Sequence, residues 1–339
     1  MRDDAGDVLD RLPLRWSWQC SRRRLSGTSS VRRCENEPMT DDSRPDVALA
    51  RDIERYLERL GVERETPSAA ALARIHRAQV EHVPYETTWI HMGETVGVVD
   101  RWALLHRIAS QQRGGYCFML NGALSLLLEA LGYDVTLHVG GVHGAEGPTR
   151  EAMENHLVLV AHGLPTPENP GGDWYVDAGL GDGLHEPLPL VPGTYTQGPL
   201  TFQLGAIDSA IGDWQVLHDP LGSFTGMVFR AEPTTMESFA ARHQYLSSSP
   251  ESGFVKTVTV QRRDCAGVDV LRGQVLGRVG EPATADRTLE TREEWFETVA
   301  GRFGLPLTDV PAEALDRLWE RVHAAHEQWL AKQAAVTGE

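Results

Sequence analysis

Cys117 lies in RGGYCFMLNGALSLLLEALGYDV, residues 113–135, directly after a glycine pair and at the head of a long apolar run. A thiol in the first turn of a helix meets backbone N–H groups and the positive end of the helix dipole, which favour the thiolate that does nucleophilic chemistry. The alternative is a small buried cysteine. The Arg-Gly-Gly-Tyr-Cys context argues for the nucleophile, because two glycines permit a tight turn that exposes the first residue of the helix. Such a thiol needs a base and a group to orient the base. Of thirteen histidines, His76, His82, His91, His106, His323 and His326 fall in helical or loop-like segments rich in solvated residues and are set aside. His138, His156 and His162 fall in strand patterns or at their ends, and in NHLVLVAHG alternation puts His156 on one face with Val158 and Val160. Asp177 follows the apolar run WYV and precedes Gly179 and Gly181, which suits a carboxylate held at a strand end beside a turn. Spacing alone does not choose His156 over His138, nor Asp177 over Asp173.

Hydropathy periodicity outlines the scaffold that would position these groups. Residues 49–61 predict an amphipathic helix with Ala50, Ile53, Tyr56, Leu57 and Leu60 near one face. A second, 68–82, follows Pro67, carries Ala70, Leu72, Ile75 and Ala78, and breaks at Val83-Pro84. A third covers 100–110. The fourth, Cys117 to Leu131, is apolar on nearly every side and closed by Gly132, so it belongs in the core. Beyond Tyr133 the pattern shortens to alternation and brief apolar runs bounded by glycine and proline: DVTLHVGGV, NHLVLVAHG, DWYVDAGLG, GPLTFQLGA, DWQVLH, GMVFRA and VKTVTVQRR. These read as strands. Helical patterns return over 289–303 and 311–331, and the whole order reads as an α+β architecture.

The 339 residues are 41% hydrophobic and 24% charged, an ordinary globular composition with enough chain for two or three domains. Four cysteines (Cys20, Cys34, Cys117 and Cys265) are widely spaced without a C-x-x-C pair, which argues against a disulfide framework, a metal knuckle or a dithiol redox site. The formal charge of -16 disfavours a broad nucleic-acid or anionic-membrane surface and points to small-molecule partners. No apolar run spans a bilayer and no secretory core opens the chain, so a cytoplasmic location is expected. Residues 1–38 hold eight arginines and six acidic residues with no sustained periodicity. They read as a disordered or non-native leader before Met39; an RNA-binding arm (Arg22, Arg23, Arg24, Arg32, Arg33) is the weaker alternative.

The chain resembles the arylamine N-acetyltransferases and the related amide synthases that close ansamycin macrolactams. RGGYCFMLN at 113–121 is similar to the family's R-G-G-x-C-x-E-x-N signature, NHLVLV at 155–160 to its histidine strand, and VDAGLG at 176–181 to its D-V-G-F-G segment. HVPYE at 82–86, YLSSSPESGFV at 245–255 and LRGQVLGRV at 271–279 extend the similarity over most of the chain after Met39. The resemblance implies an N-terminal helical domain (39–131) carrying the nucleophile, a β-barrel domain (132–234), a linker helix (235–250) and an α/β lid (251–339), with a papain-like core. It makes Cys117 the nucleophile, His156 the base and Asp177 the orienting carboxylate. Arg113 and Glu86 are expected to pair and brace the loop before Cys117, and Asn121 to bond nearby backbone groups. It further implies transfer of an acetyl group from acetyl-CoA, a co-substrate and not a resident cofactor, to an arylamine or arylhydrazine, in a ping-pong cycle without metal. The alternatives are an amide synthase releasing a polyketide, a thiol hydrolase or transglutaminase-like enzyme, and a non-catalytic scaffold. Met119, Thr87 and Leu180 depart from the family's usual residues and bear on substrate range.

Overall fold

Short polar caps and apolar stripes start and seat the first helices in the computed structural model, which describes residues 45–280 and 284–337. The expected leader over 1–38 lies outside these residues. Helix α1 (Pro45–Leu60) buries Ile53, Tyr56, Leu57 and Leu60. Ser68 accepts a bond from the Ala71 N–H at 3.1 Å and opens α2 (Ala69–His82), as a serine cap does for otherwise orphaned donors. Ala50 and Ala70, expected on the apolar faces, face solvent instead; alanine contributes so little apolar area that its exposure costs little. Asp100 caps α4 (Arg101–Ala109), which follows a two-residue strand β1 (Tyr85–Glu86) and a short helix α3 (Thr88–Met92). Helix α5 (Cys117–Ala130) is buried at nearly every position from Cys117 to Leu128, in keeping with its all-round apolar sequence.

One antiparallel sheet of eight strands follows: β2 (Asp134–His143), β3 (His156–His162), β4 (Trp174–Val176), β5 (Leu188–Pro189), β6 (Gly193–Gln197), β7 (Leu200–Ala206), β8 (Trp214–Leu217) and β9 (Gly226–Thr234). Their spatial order is β5-β4-β3-β2-β9-β8-β7-β6, so the expected barrel is barrel-like but not closed by hydrogen bonds between its edge strands. Strand β3 separates two cores. Leu157, Leu159 and Ala161 join the core shared with the helices. Val158 and Val160 join the sheet's own core with Tyr175, Phe202, Met227 and Phe229.

The linker region carries a 3-10 turn (Met236–Phe239), α6 (Ala240–Ser248) and α7 (Gly253–Lys256). A second antiparallel sheet then forms from β10 (Thr259–Asp264), β11 (Gly267–Arg272), β12 (Val275–Gly280) and β13 (Thr284–Thr288), accompanied by α8 (Arg292–Gly301) and α9 (Ala312–Thr337). Its first strand is β1, from far upstream: Tyr85 pairs with Gln261 and Glu86 with Val260. Mixed helix and sheet, with helices leading and a barrel-like sheet at the centre, is the α+β class the sequence predicts.

Candidate active site

The turn before α5 is shaped by close approach. A Cβ on Gly114 would lie 2.0 Å from the Pro84 carbonyl oxygen, so only glycine lets the two backbones meet there. The Glu86 N–H donates to the Gly115 carbonyl at 2.9 Å. Tyr116 donates its hydroxyl to His243 at 2.6 Å, and His243 in turn donates from Nε2 to the Val96 carbonyl at 2.6 Å. No side chain caps α5, which leaves orphan N–H donors of its first turn beside the thiol.

His156, at the start of β3, comes to Cys117 from across this turn. Its Nε2 lies 2.7 Å from Asp177 Oδ2, while the Cys117 thiol, itself buried, donates to the carbonyl of the preceding residue Asn155 at 3.6 Å. Asp177 follows the last residue of β4 and is fully buried with four donors. His156 and the Tyr175 hydroxyl, each at 2.7 Å, serve Oδ2; Asn121 Nδ2 at 2.8 Å and the Gly179 N–H at 3.0 Å serve Oδ1. Burial raises the Asp177 carboxyl, but the charge of His156 and the donors from His156, Asn121 and Tyr175 bring it below its ordinary value. Burial lowers His156, but the Asp177 charge, the anionic form of Cys117 and the bond to Asp177 outweigh this and raise it to about 10. The pair is thus a buried imidazolium and carboxylate held together by satisfied hydrogen bonds.

Of the histidines and carboxylates that spacing left open, His156 and Asp177 lie together, and the others have different partners. His138 donates from Nδ1 to the Arg230 carbonyl at 3.0 Å and lies 2.7 Å from the Thr136 hydroxyl. Asp173 pairs with His162 at 2.9 Å. Neither is placed with Cys117. His76 and His91, set aside as solvated, are buried, because each lies among the apolar positions of its helix. Asn121 does bond backbone groups, donating to the Leu157 carbonyl at 2.7 Å and accepting from the Ala178 N–H at 3.0 Å, and it also holds Asp177.

The expected pair of Arg113 and Glu86 does not form. Arg113 pairs with Glu94 at 3.0 Å and with Asp309 at 3.2 Å. Glu86 Oε2 accepts from the Thr88 N–H at 2.8 Å and hydroxyl at 2.6 Å, while Oε1 faces Arg107 at 3.6 Å. Glu86 thus satisfies the first turn of α3, and Arg107, not Arg113, stands beside it. The side chain that sequence reasoning missed is Tyr175. It lies two residues before Asp177, and its ring stacks on Phe229 at 5.4 Å in the sheet's core while its hydroxyl reaches the carboxylate.

Cys117 and His156 line a cavity of about 360 Å³ with Tyr85, Leu180, Phe224 and Phe254 among its walls. A second cavity of about 770 Å³ adjoins it, and Ser223, Thr257, Gln261, Val270 and Arg272 line both. Of the departing positions, Leu180 faces the smaller cavity. Met119 is buried, and the Thr87 hydroxyl accepts from the Thr259 N–H at 3.0 Å.

A thiol and an imidazole on one cavity wall, with a buried carboxylate hydrogen-bonded to the imidazole, are the residue types a cysteine enzyme uses. The family model described as N-acetyltransferase matches residues 68–311. An arylamine N-acetyltransferase of Mycolicibacterium smegmatis is 28% identical over 274 residues, 77% of this chain and 94% of that protein. The solved M. smegmatis arylamine N-acetyltransferase structure superposes with a TM-score of 0.69 at 26% identity, covering 79% of this chain and 97% of that one. That of Mycobacterium marinum in complex with CoA shares the fold, with a TM-score of 0.70 at 24% identity over 80% and 98% of the two chains. The chain belongs to the arylamine N-acetyltransferase family, whose members are enzymes. Among the described residues no helix is long and apolar enough to cross a membrane.

Proposed function

We propose that this protein moves an acetyl group from acetyl-CoA to the nitrogen of an arylamine or arylhydrazine, through an acetyl thioester on Cys117. The observation that carries the reading is the buried His156–Asp177 hydrogen bond of 2.7 Å behind a cavity whose wall holds both Cys117 and His156. His156 holds, as an imidazolium, the proton that Cys117 has given up, and Asp177 fixes the ring and stabilises its charged form. The sulfur attacks the thioester carbonyl, and backbone N–H groups of the first turn of α5 receive the developing oxyanion. CoA leaves with a proton from His156. The amine then attacks the acetyl-cysteine, gives up a proton to His156, and the amide departs as the thiol is restored. Arg113 and Glu86 act at a distance from this chemistry by holding the turn and α3, and Asn121 holds Asp177. The aromatic and aliphatic walls Tyr85, Phe224, Phe254 and Leu180 suit a flat acceptor, and the CoA found with the M. marinum protein supports a CoA thioester as donor. A thiol nucleophile needs a reducing compartment, so the reading places the enzyme in the cytoplasm.

Acyl loading tests this directly. Acetyl-CoA alone should add one acetyl group to Cys117 with a burst of free CoA, and an arylhydrazine should discharge it. Cys117→Ser should do neither, and His156→Ala should slow loading by about 10² to 10⁴, whereas His138→Ala should load like the parent. If acetyl-CoA and propionyl-CoA leave no adduct while a bulky polyketide-like thioester does, an amide synthase replaces this reading. If no thioester loads folded protein, acyl transfer is excluded.

A further inference from the structure

The passage between the two cavities carries unspent polar groups. Among the described residues lining the smaller cavity none bears a carboxylate, and Arg272 is its one guanidinium, in a chain of formal charge -16. Arg272 ends β11, opposite Thr259 and Val275, and among the described residues it has no ion pair or hydrogen-bond partner for its side chain. The other arginines at the larger cavity differ: Arg278 is paired with Asp264 and Asp269, and Arg287 with Glu294. Beside Arg272 stands Gln261, 6% exposed, whose side-chain amide likewise has no hydrogen-bond partner among the described residues. Gly181 makes room for that amide, since a Cβ there would sit 2.0 Å from Gln261 Oε1.

A guanidinium fork and an amide N–H₂ facing one space are the donors a carboxylate accepts best, because its two oxygens take the fork in parallel and keep lone pairs for a third donor. We propose that Arg272 and Gln261 form a carboxylate-selecting subsite at the throat between the cavities. The reacting substrate would then carry a carboxylate besides its reacting group, on the far end of the acyl chain or on the aromatic acceptor. This rests on the proposed acyl transfer for the identity of the reacting pair. The CoA phosphates are the competing anion, but the pantetheine arm keeps them far from the thioester, whereas Arg272 lines the cavity of Cys117 itself.

Matched substrates separate the sources. In the donor arm, kcat/KM is compared for succinyl-CoA and butyryl-CoA with a neutral arylhydrazine. In the acceptor arm it is compared for 3-aminobenzoate and 3-aminobenzamide with acetyl-CoA. In one arm the carboxylate-bearing member should lead by about tenfold or more, the worth of a charge-assisted hydrogen bond, and that arm identifies the source. Arg272→Gln should bring the ratio close to one. Arg272→Lys should keep part of it, because an ammonium offers charge without the fork, and Gln261→Leu should lower it partway. No preference in either arm, or one that survives Arg272→Gln, overturns the subsite. So does a KM raised alike for all CoA thioesters by Arg272→Gln and by removal of the CoA 3′-phosphate, since that assigns the guanidinium to the donor's phosphates. Protection of Cys117 from iodoacetamide by benzoate or succinate, relative to benzamide or succinamide, reads the same subsite without acyl transfer. If protection depends on Arg272 but no acyl group is transferred, the proposed function fails and the subsite stands; if protection is equal in the Arg272→Gln protein, the subsite fails.

Discussion

Tyr175→Phe removes a single oxygen from the interior. The ring keeps its place against Phe229, 5.4 Å away, so no cavity opens. The hydroxyl that disappears donates at 2.7 Å to the Asp177 oxygen that His156 also contacts. A hydrogen bond to a charged group is worth about 1.5–3 kcal/mol, and the carboxylate it serves is buried. Stability at neutral pH should fall by about 2 kcal/mol, which at an unfolding entropy of about 2.1 cal/mol/K per residue over 339 residues lowers Tm by about 3 °C. The pH dependence carries a second signature. Asp177 titrates below its ordinary 3.8 in the folded protein despite burial, partly because of Tyr175. A lowered carboxylate contributes stability that is fully present above 3.8 and lost as pH falls through the folded value. Without the hydroxyl the lowering is smaller, so acid unfolding should begin at a higher pH. Circular-dichroism melts at pH 7 and an acid titration at fixed temperature measure both effects. Equal Tm values together with superimposable acid transitions would refute the assignment of Tyr175 to Asp177.

Gly179→Ala should abolish acyl loading by about 100-fold or more, because the new Cβ would lie 2.6 Å from the Cys117 Cα and 3.0 Å from Asn121 Nδ2; single-turnover loading measures it. Burial lowers His91 to about 4, so its neutral form contributes stability above 6.5 that is lost as pH falls toward 4. His91→Gln, which keeps a donor for the Phe254 carbonyl now 2.8 Å from Nε2, should flatten that acid loss by up to about 2 kcal/mol in urea titrations at pH 7 and pH 5. Glu94→Gln takes the carboxylate from two buried arginines, Arg107 and Arg113, each at 3.0 Å. Glu94 is partly exposed, so a loss of about 1–3 kcal/mol is expected, read as a lower Tm; an unchanged Tm would show that solvent already screens the cluster.

Long-period features were legible in the sequence, and contacts between distant segments were not. The helices over 45–60, 69–82, 101–109 and 117–130 follow from apolar spacing and caps that act within one or two turns. The order of Cys117, His156 and Asp177 was readable from motifs, but the choice of His156 over His138 came from resemblance, since both begin or lie in strands of similar pattern. Strand β1 escaped because two residues hold no period. The Arg113–Asp309 bond joins residues 196 positions apart, a separation at which spacing says nothing, and Glu86 had a nearer use in capping α3. His76 did leave a signal, flanked at helical spacing by Leu72 and Val80, which marked its burial.

The shortest strand has a mechanical consequence. Tyr85–Glu86 is stitched on one side to Gln261 and Val260 of the second sheet and on the other to Gly115, two residues before the thiol. Thr87 adds a reciprocal pair of bonds with Thr259. The second sheet and the turn before Cys117 are therefore bolted to one dipeptide, so a shift of either is passed to the other. The width of the cavity beside Cys117 then rests on the rotamers of the side chains that wall it, Phe224, Phe254 and Leu180 among them.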